Sequence, residues 1–176
     1  MNQNTDLIKL ISNEKKIEIL RKNWISHDAK AQMAVVQEFG WEKGNKLNKA
    51  VIHEIGKVMM YRFKNALNIT QVTNMEEFFN IASAAMNFYY PPPYSYYRFE
   101  KVSENEIMGM VDKCPIIENV QKLGVAEFYE CGCFAMRSGW YKALGVDIQE
   151  ECLSCIKDGD NECKIVLKVK NWNNKQ

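Results

Sequence analysis

The stretch Phe88-Tyr89-Tyr90-Pro91-Pro92-Pro93-Tyr94-Ser95-Tyr96-Tyr97 divides the sequence into halves of different period. Three consecutive prolines cannot continue a helix, because proline has no N–H to give and its ring collides with the preceding turn. Before them, apolar residues recur every three to four positions; after them, they alternate. Immediately upstream, 74–88 reads as a helix with Phe78, Phe79, Ile81, Ala82, Ala85 and Met86 on its apolar side. Further upstream, 12–40 is a long helix with Ser12 as N-cap, an apolar stripe through Ile17, Leu20, Trp24, Ala31, Val35 and Phe39, and Gly40 as its stop. A helix over about 41–68 follows, with Val51, Ile52, Ile55, Val58, Met59 and Phe63 on one side and His53 on the exposed side.

Downstream, 94–102 and 106–112 flank Ser103-Glu104-Asn105 and read as a β-hairpin. A short helix is expected over 115–123, and a longer one over 125–144 with Phe128, Cys131, Ala135 and Trp140 along one side. Strands over 146–151 and 163–169 are joined across Asp158-Gly159-Asp160-Asn161, a strong turn signal. The expectation is an α+β fold: long N-terminal helices, then an antiparallel sheet with a packed helix and a C-terminal cysteine hairpin. No repeat or linker interrupts it, so 1–176 reads as one domain, helical to about residue 90 and built on the sheet beyond.

The 176 residues are 47% hydrophobic, enough for a real core. With 23 basic against 22 acidic residues, nothing draws the chain toward nucleic acid or anionic lipid. No apolar run spans a bilayer, and Met1-Asn2-Gln3-Asn4-Thr5-Asp6 lacks the charge and apolar run of a signal peptide, so a soluble, cytoplasmic protein is expected.

In a reducing compartment the six cysteines, all between Cys114 and Cys163, point to metal or redox chemistry rather than disulfides. Cys152-Leu153-Ser154-Cys155 can grip one ion from a single loop, and the tight turn that follows returns Cys163 beside it. Cys131, or Cys133 in its place, supplies a fourth sulfur. Four thiolates suit zinc; iron or a 4Fe–4S cluster obeys the same count. Two other readings stand beside this one: small core hydrophobes, and a Cys152/Cys155 redox dithiol.

The same residues, from Cys131 through Ser138-Gly139-Trp140, Leu144-Gly145, Glu151-Cys152, Cys155, Gly159-Asp160 and Cys163-Lys164-Ile165-Val166, resemble the end of the 4-vinyl-reductase domain family, over about the last fifty residues. That likeness implies a structural zinc held by Cys131, Cys152, Cys155 and Cys163, and a ligand-sensing domain. The spacing from Cys131 is slightly short, which leaves Cys133 as the alternative. More of the chain, including Asn23-Trp24-Ile25-Ser26-His27-Asp28, Gln37-Glu38-Phe39-Gly40 and Lys113-Cys114, resembles a bacterial family grouped with L-2-amino-thiazoline-4-carboxylate hydrolases. This wider likeness implies a hydrolase or lyase acting on a heterocyclic or sulfur-containing acid.

On the first helix His27, Asp28 and Glu38 fall within about 60° of Trp24, on the stripe expected to face the core. Burying three ionisable groups is costly unless they are paired or liganded. Ala31 and Ala34 leave room there for a small-molecule cavity lined by Trp24, His27 and Val35, in which His27 acts as acid/base with Asp28 or Glu38. The bland alternative is hydrogen bonding to backbone or a solvated edge. Tyr94 and Tyr96 are candidates to cap such a pocket, and Cys114, beside Lys113, or Cys133 to act as nucleophile. With no DNA-binding or ATPase segment in view, a sensor of this kind would signal through a partner or as a homodimer.

Overall fold

The computed structural model describes residues 7–172; the stretch 1–6, read above for a leader, lies outside them. A 3-10 turn, Leu7–Leu10, precedes α1 (Asn13–Ala66), whose helical run is interrupted at Gly40, where φ is 80° and ψ 169°. That left-handed-side φ is one glycine adopts freely, so the stop expected there is a break between two helical stretches. Then come α2 (Met75–Tyr89), β1 (Tyr96–Ser103), β2 (Glu106–Lys113), α3 (Pro115–Lys122), α4 (Cys133–Leu144), β3 (Val146–Ser154), a 3-10 turn Ile156–Asp158, and β4 (Cys163–Trp172). The α+β architecture follows the sequence reading.

The chain divides into two compact units, 1–44 and 45–176. In the first, the helix leaves its apolar stripe largely in solvent: Ile17, Leu20 and Phe39 are 49%, 68% and 54% exposed. A helix and a short turn provide no second layer within their own unit against which a stripe can be buried.

In the second unit four antiparallel strands pair in the order β1-β2-β4-β3. Ile165, Leu167 and Val169 of β4 alternate inward, joined by Ile107 of β2, which pairs with Leu167. Phe78, Ile81, Ala82 and Ala85 of α2 and Trp140, Tyr141 and Leu144 of α4 complete the core, with Met59 and Met60 of α1. The start of α2 is held by a reciprocal cap. Asn74 accepts the Glu77 N–H at 3.0 Å, and the Glu77 carboxylate accepts the Thr73 N–H at 2.8 Å.

α4 crosses the 45–66 part of α1 at very short range. A Cβ on Gly139 would strike the His53 carbonyl and come within 2.8 Å of the Lys57 nitrogen; one on Gly56 would strike the Met136 carbonyl. The Ser138-Gly139-Trp140 motif thus has a packing reason. His53 sits beside this crossing with its side chain 34% exposed, less open than its place on the helix face suggested.

The helix expected over 125–144 begins only at Cys133. Asn45, itself 3% exposed, donates from Nδ2 to the Phe128 carbonyl at 2.7 Å and accepts the Glu130 N–H at 3.2 Å. Those bonds satisfy in a turn the backbone groups a helix would have used. Phe128, read as core-facing, is 49% exposed.

Candidate functional site

The cysteines gather at one end of the sheet because four elements begin or finish there. β3 ends at Ser154, Cys155 starts the 3-10 turn, and Gly159, at φ 101°, reverses the chain so that β4 opens with Cys163. Side chains lock this reversal. The Asp160 carboxylate accepts the Cys155 N–H at 2.8 Å, and the Ser154 hydroxyl donates to the Glu162 carbonyl at 2.8 Å while accepting the Lys164 N–H at 3.1 Å. The Ile156 N–H points at the Cys163 sulfur, 3.3 Å away, and the Cys155 and Cys163 sulfurs are 3.9 Å apart. Cys163 pairs with Val111 near the end of β2, and Cys114 follows two residues after Asp112 as the N-cap of α3. Cys133 opens α4, with its thiol hydrogen-bonded by Cys131.

The charges of these groups act on one another. Burial, reinforced by Cys133 and Cys155, pushes the Cys114 thiol up to about 11. Burial, against the opposing Ile156 N–H and with Cys155 and Cys133 adding, pushes Cys163 up to about 12. In the Cys131/Cys133 pair, the hydrogen bond holds the proton on Cys131 and favours thiolate on Cys133, which the Arg137 guanidinium also attracts. Cys133 is thus the hub, its charge acting on those of Cys114, Cys131, Cys152 and Cys163. Cys152 is exposed, with its sulfur 3.2 Å from the Ser154 carbonyl on its own strand, and Cys155 and Cys133 act on its charge as they do on that of Cys114.

Beneath the hub is a buried polar triad that sequence reading missed. Arg137 Nε donates to Glu150 Oε1 at 2.5 Å, and the Tyr141 hydroxyl donates to the same oxygen at 2.5 Å. The Arg137 guanidinium lies over the Phe134 ring, 4.7 Å from its centroid, and its Nη2 has no hydrogen-bond partner. The available signals were the four-residue step from Cys133 to Arg137 and the inward turn of Glu150 on β3.

As a metal centre the donor chemistry fits a thiophilic cation: several sulfurs, mutually repelling when ionised, with N–H donors directed at them. The Cys155–Cys163 separation matches the edge of a tetrahedron with Zn–S bonds of about 2.3 Å, which is about 3.8 Å. Among the described residues, no three histidine, cysteine, aspartate or glutamate side chains are drawn in tightly enough to hold an ion as they stand.

The helix candidates lie elsewhere. His27 is 80% exposed in its side chain and 3.5 Å from Asp28 Oδ1, Glu38 and Ala31 are exposed, and Trp24 is half-buried. The expectation that His27 and Glu38 face a core is therefore corrected, since the stripe they share is solvated. Partial burial raises the Asp28 carboxyl, opposed by His27. Tyr94 is half-buried. Tyr96, 46% exposed, edges an open cleft of about 410 Å³ that is also lined by Phe79, Ser83, Asn87, Arg98 and Asp112. Arg98 is engaged there by both oxygens of Asp112 at 2.6 and 2.7 Å and by Glu162 at 2.5 Å.

The family model described as L-2-amino-thiazoline-4-carboxylic acid hydrolase matches residues 20–167. The chain belongs to this hydrolase family. The match bears out the whole-chain likeness and gives no support to the narrower 4-vinyl-reductase one. A comparison with curated proteins gives no match. Among solved structures, this member of the amino-thiazoline hydrolase family is similar to a trafficking protein particle complex subunit 3 from Naegleria fowleri, covalently bound to palmitic acid. The TM-score is 0.62 at 11% identity, over 90% of this chain and 99% of that one, a likeness of fold. An H-NOX domain from Shewanella oneidensis in the Fe(II)CO state is similar at TM-score 0.46 and 14% identity, over 78% and 73% of the two chains. Among the described residues, no helix is long and apolar enough to cross a membrane.

Proposed function

We propose that this member of the amino-thiazoline hydrolase family is a small-molecule-binding protein whose sheet end is clamped by a zinc ion on cysteine thiolates. The observation that carries the clamp is the convergence of sulfurs at one end of the sheet, with Cys155 and Cys163 already 3.9 Å apart. Thiolates brought together out of water repel, and a divalent cation turns that repulsion into attraction. A site closed by four sulfurs leaves no position for water or substrate, so its role is structural. The trafficking-complex subunit of the same fold holds a palmitic acid, which supports a fold able to accommodate an organic ligand. Elemental analysis of anaerobically purified protein tests the clamp. One equivalent of zinc in a colourless protein is the expected result; brown protein absorbing near 400 nm identifies an iron–sulfur centre instead.

Family membership favours a second reading, hydrolysis of a 2-amino-thiazoline carboxylate or a related heterocyclic acid. Water adding to the ring carbon between nitrogen and sulfur, with cleavage of the C–S bond, frees a thiol that a colorimetric assay counts. His27 beside Asp28 is the candidate base, at 3.5 Å. Turnover that is absent in the wild type removes this reading, and turnover unchanged in His27→Ala removes His27 from it.

A further inference from the structure

Going beyond the zinc reading, we infer that Cys155 and Cys163 form a reversible dithiol, which a hydroperoxide oxidises to a disulfide stapling the β3–β4 reversal. Sequence spacing favours another pair, because Cys152 and Cys155 stand in the Cys-x-x-Cys arrangement of redox dithiols. The fold pairs the sulfurs differently. Ser154 lies opposite Lys164, so the next residues outward, Cys155 and Cys163, face each other at the mouth of the turn. Their sulfurs are 3.9 Å apart. Residues opposed on antiparallel strands have Cα atoms about 4.5–5.5 Å apart, within the span of a disulfide, so side-chain rotation is what remains to bring the sulfurs to about 2.0 Å. Cys152 lies opposite Ile165 within β3, with its sulfur directed at the Ser154 carbonyl.

The turn holds both cysteines in place whichever state their sulfurs are in. The Asp160 carboxylate accepts the Cys155 N–H at 2.8 Å, and the Asp160 N–H donates to the Cys155 carbonyl at 3.4 Å. The Ser154 hydroxyl bridges the Glu162 carbonyl and the Lys164 N–H from the other side. The reversal is therefore formed before oxidation, and a bond across it costs little further ordering of the chain. Both thiols are half-buried, open enough for a small peroxide. Seven residues separate the two cysteines, and a short loop gains less from cross-linking than a long one, which suits a bond that a dithiol reductant reopens.

The chemistry closes on two thiols and one peroxide. One sulfur attacks the O–O bond and becomes a sulfenic acid, while the leaving hydroxide takes up that thiol's proton as water. The second sulfur then displaces the sulfenic hydroxyl: the S–S bond forms, the S–O bond breaks, and a second water carries away the remaining thiol proton. Two electrons pass from the sulfurs to the peroxide oxygens. Sulfurs joined to each other are no longer thiolates, so the bond and a metal ion exclude one another at this place.

The test uses the full chain, reduced, stripped of metal by a chelator and treated with one equivalent of hydrogen peroxide. Remaining thiols are alkylated with N-ethylmaleimide, and the protein is digested with trypsin without reduction and read by mass spectrometry. Cleavage after Lys142, Lys157 and Lys164 puts Cys152 and Cys155 in one peptide and Cys163 in the next. The expected product is these two peptides joined, with the alkyl group on Cys152, and parted again by dithiothreitol. Cys152→Ser is expected to keep the cross-link and Cys163→Ser to lose it; should a variant fail to fold, the wild-type map decides alone. A bond between Cys152 and Cys155 inside one peptide, or oxidation elsewhere while Cys155 and Cys163 are both alkylated, overturns the inference. Because the metal is removed first, neither result bears on the zinc clamp, which stands or falls on its own elemental analysis.

Discussion

Gly139 has no side chain because the backbone of α1 occupies the space one would fill. An added methyl must push the His53 carbonyl and the Lys57 nitrogen aside, and backbone yields less readily than a side-chain tip. Gly139→Ala is expected to destabilise the protein by about 1–3 kcal/mol, seen as a lower urea midpoint with an unchanged slope. Glu150 is the second position where a single atom carries much weight, since one oxygen receives both Arg137 and Tyr141. Glu150→Ala leaves a guanidinium buried without its counter-charge, and a loss of about 3–5 kcal/mol is expected from the same measurement. Neither role was legible from sequence: a glycine inside a helical pattern and a glutamate in a strand look ordinary until the partner element is in place. The cysteines were legible as a group, since spacing alone brings Cys155 and Cys163 together across a turn. What spacing could not show was that Cys114 caps α3 just beyond the end of β2, whose Val111 pairs with Cys163.

At the scale of elements, the helix and strand periods were read correctly wherever local chemistry and packing agreed. The cap of α2 is such a case, and it makes a pH prediction. Hydrogen bonds from Thr73, backbone first, hold the Glu77 carboxyl below its ordinary range. A carboxyl depressed in the folded state contributes stability above its unfolded pKa and loses that contribution as pH falls through the folded value. The deficit of Glu77→Gln relative to wild type should therefore be full at neutral pH and shrink below about pH 4.3. Urea midpoints at neutral and acid pH check this, and a deficit independent of pH would show the charge to be irrelevant to the cap. Reading failed over 125–132, where a helical spacing of apolar residues was overridden by Asn45, more than eighty positions earlier in the chain. It failed again on the first helix, where amphipathic spacing was taken to imply burial. Spacing shows which residues share a face, and only a second layer determines whether that face is dry.

For the whole molecule, the sheet unit has its own core from α2, α4 and three strands' worth of inward residues, so the zinc proposed above would supply only part of its stability. Removing the proposed ion with a strong chelator should lower the thermal midpoint while leaving the far-ultraviolet helix signal largely intact, in contrast to small zinc modules that unfold outright. Complete loss of helical signal would mean that the clamp, not the apolar core, carries the fold.

The strand order has one more consequence. β4 follows the other three strands in the chain and lies between β2 and β3, so during synthesis neither the first hairpin nor β3 can pair with it until residues 163–172 have left the ribosome. Until then the nascent chain carries two unpaired strand edges, of β2 and of β3, and it is in that interval that edge-to-edge aggregation threatens it most.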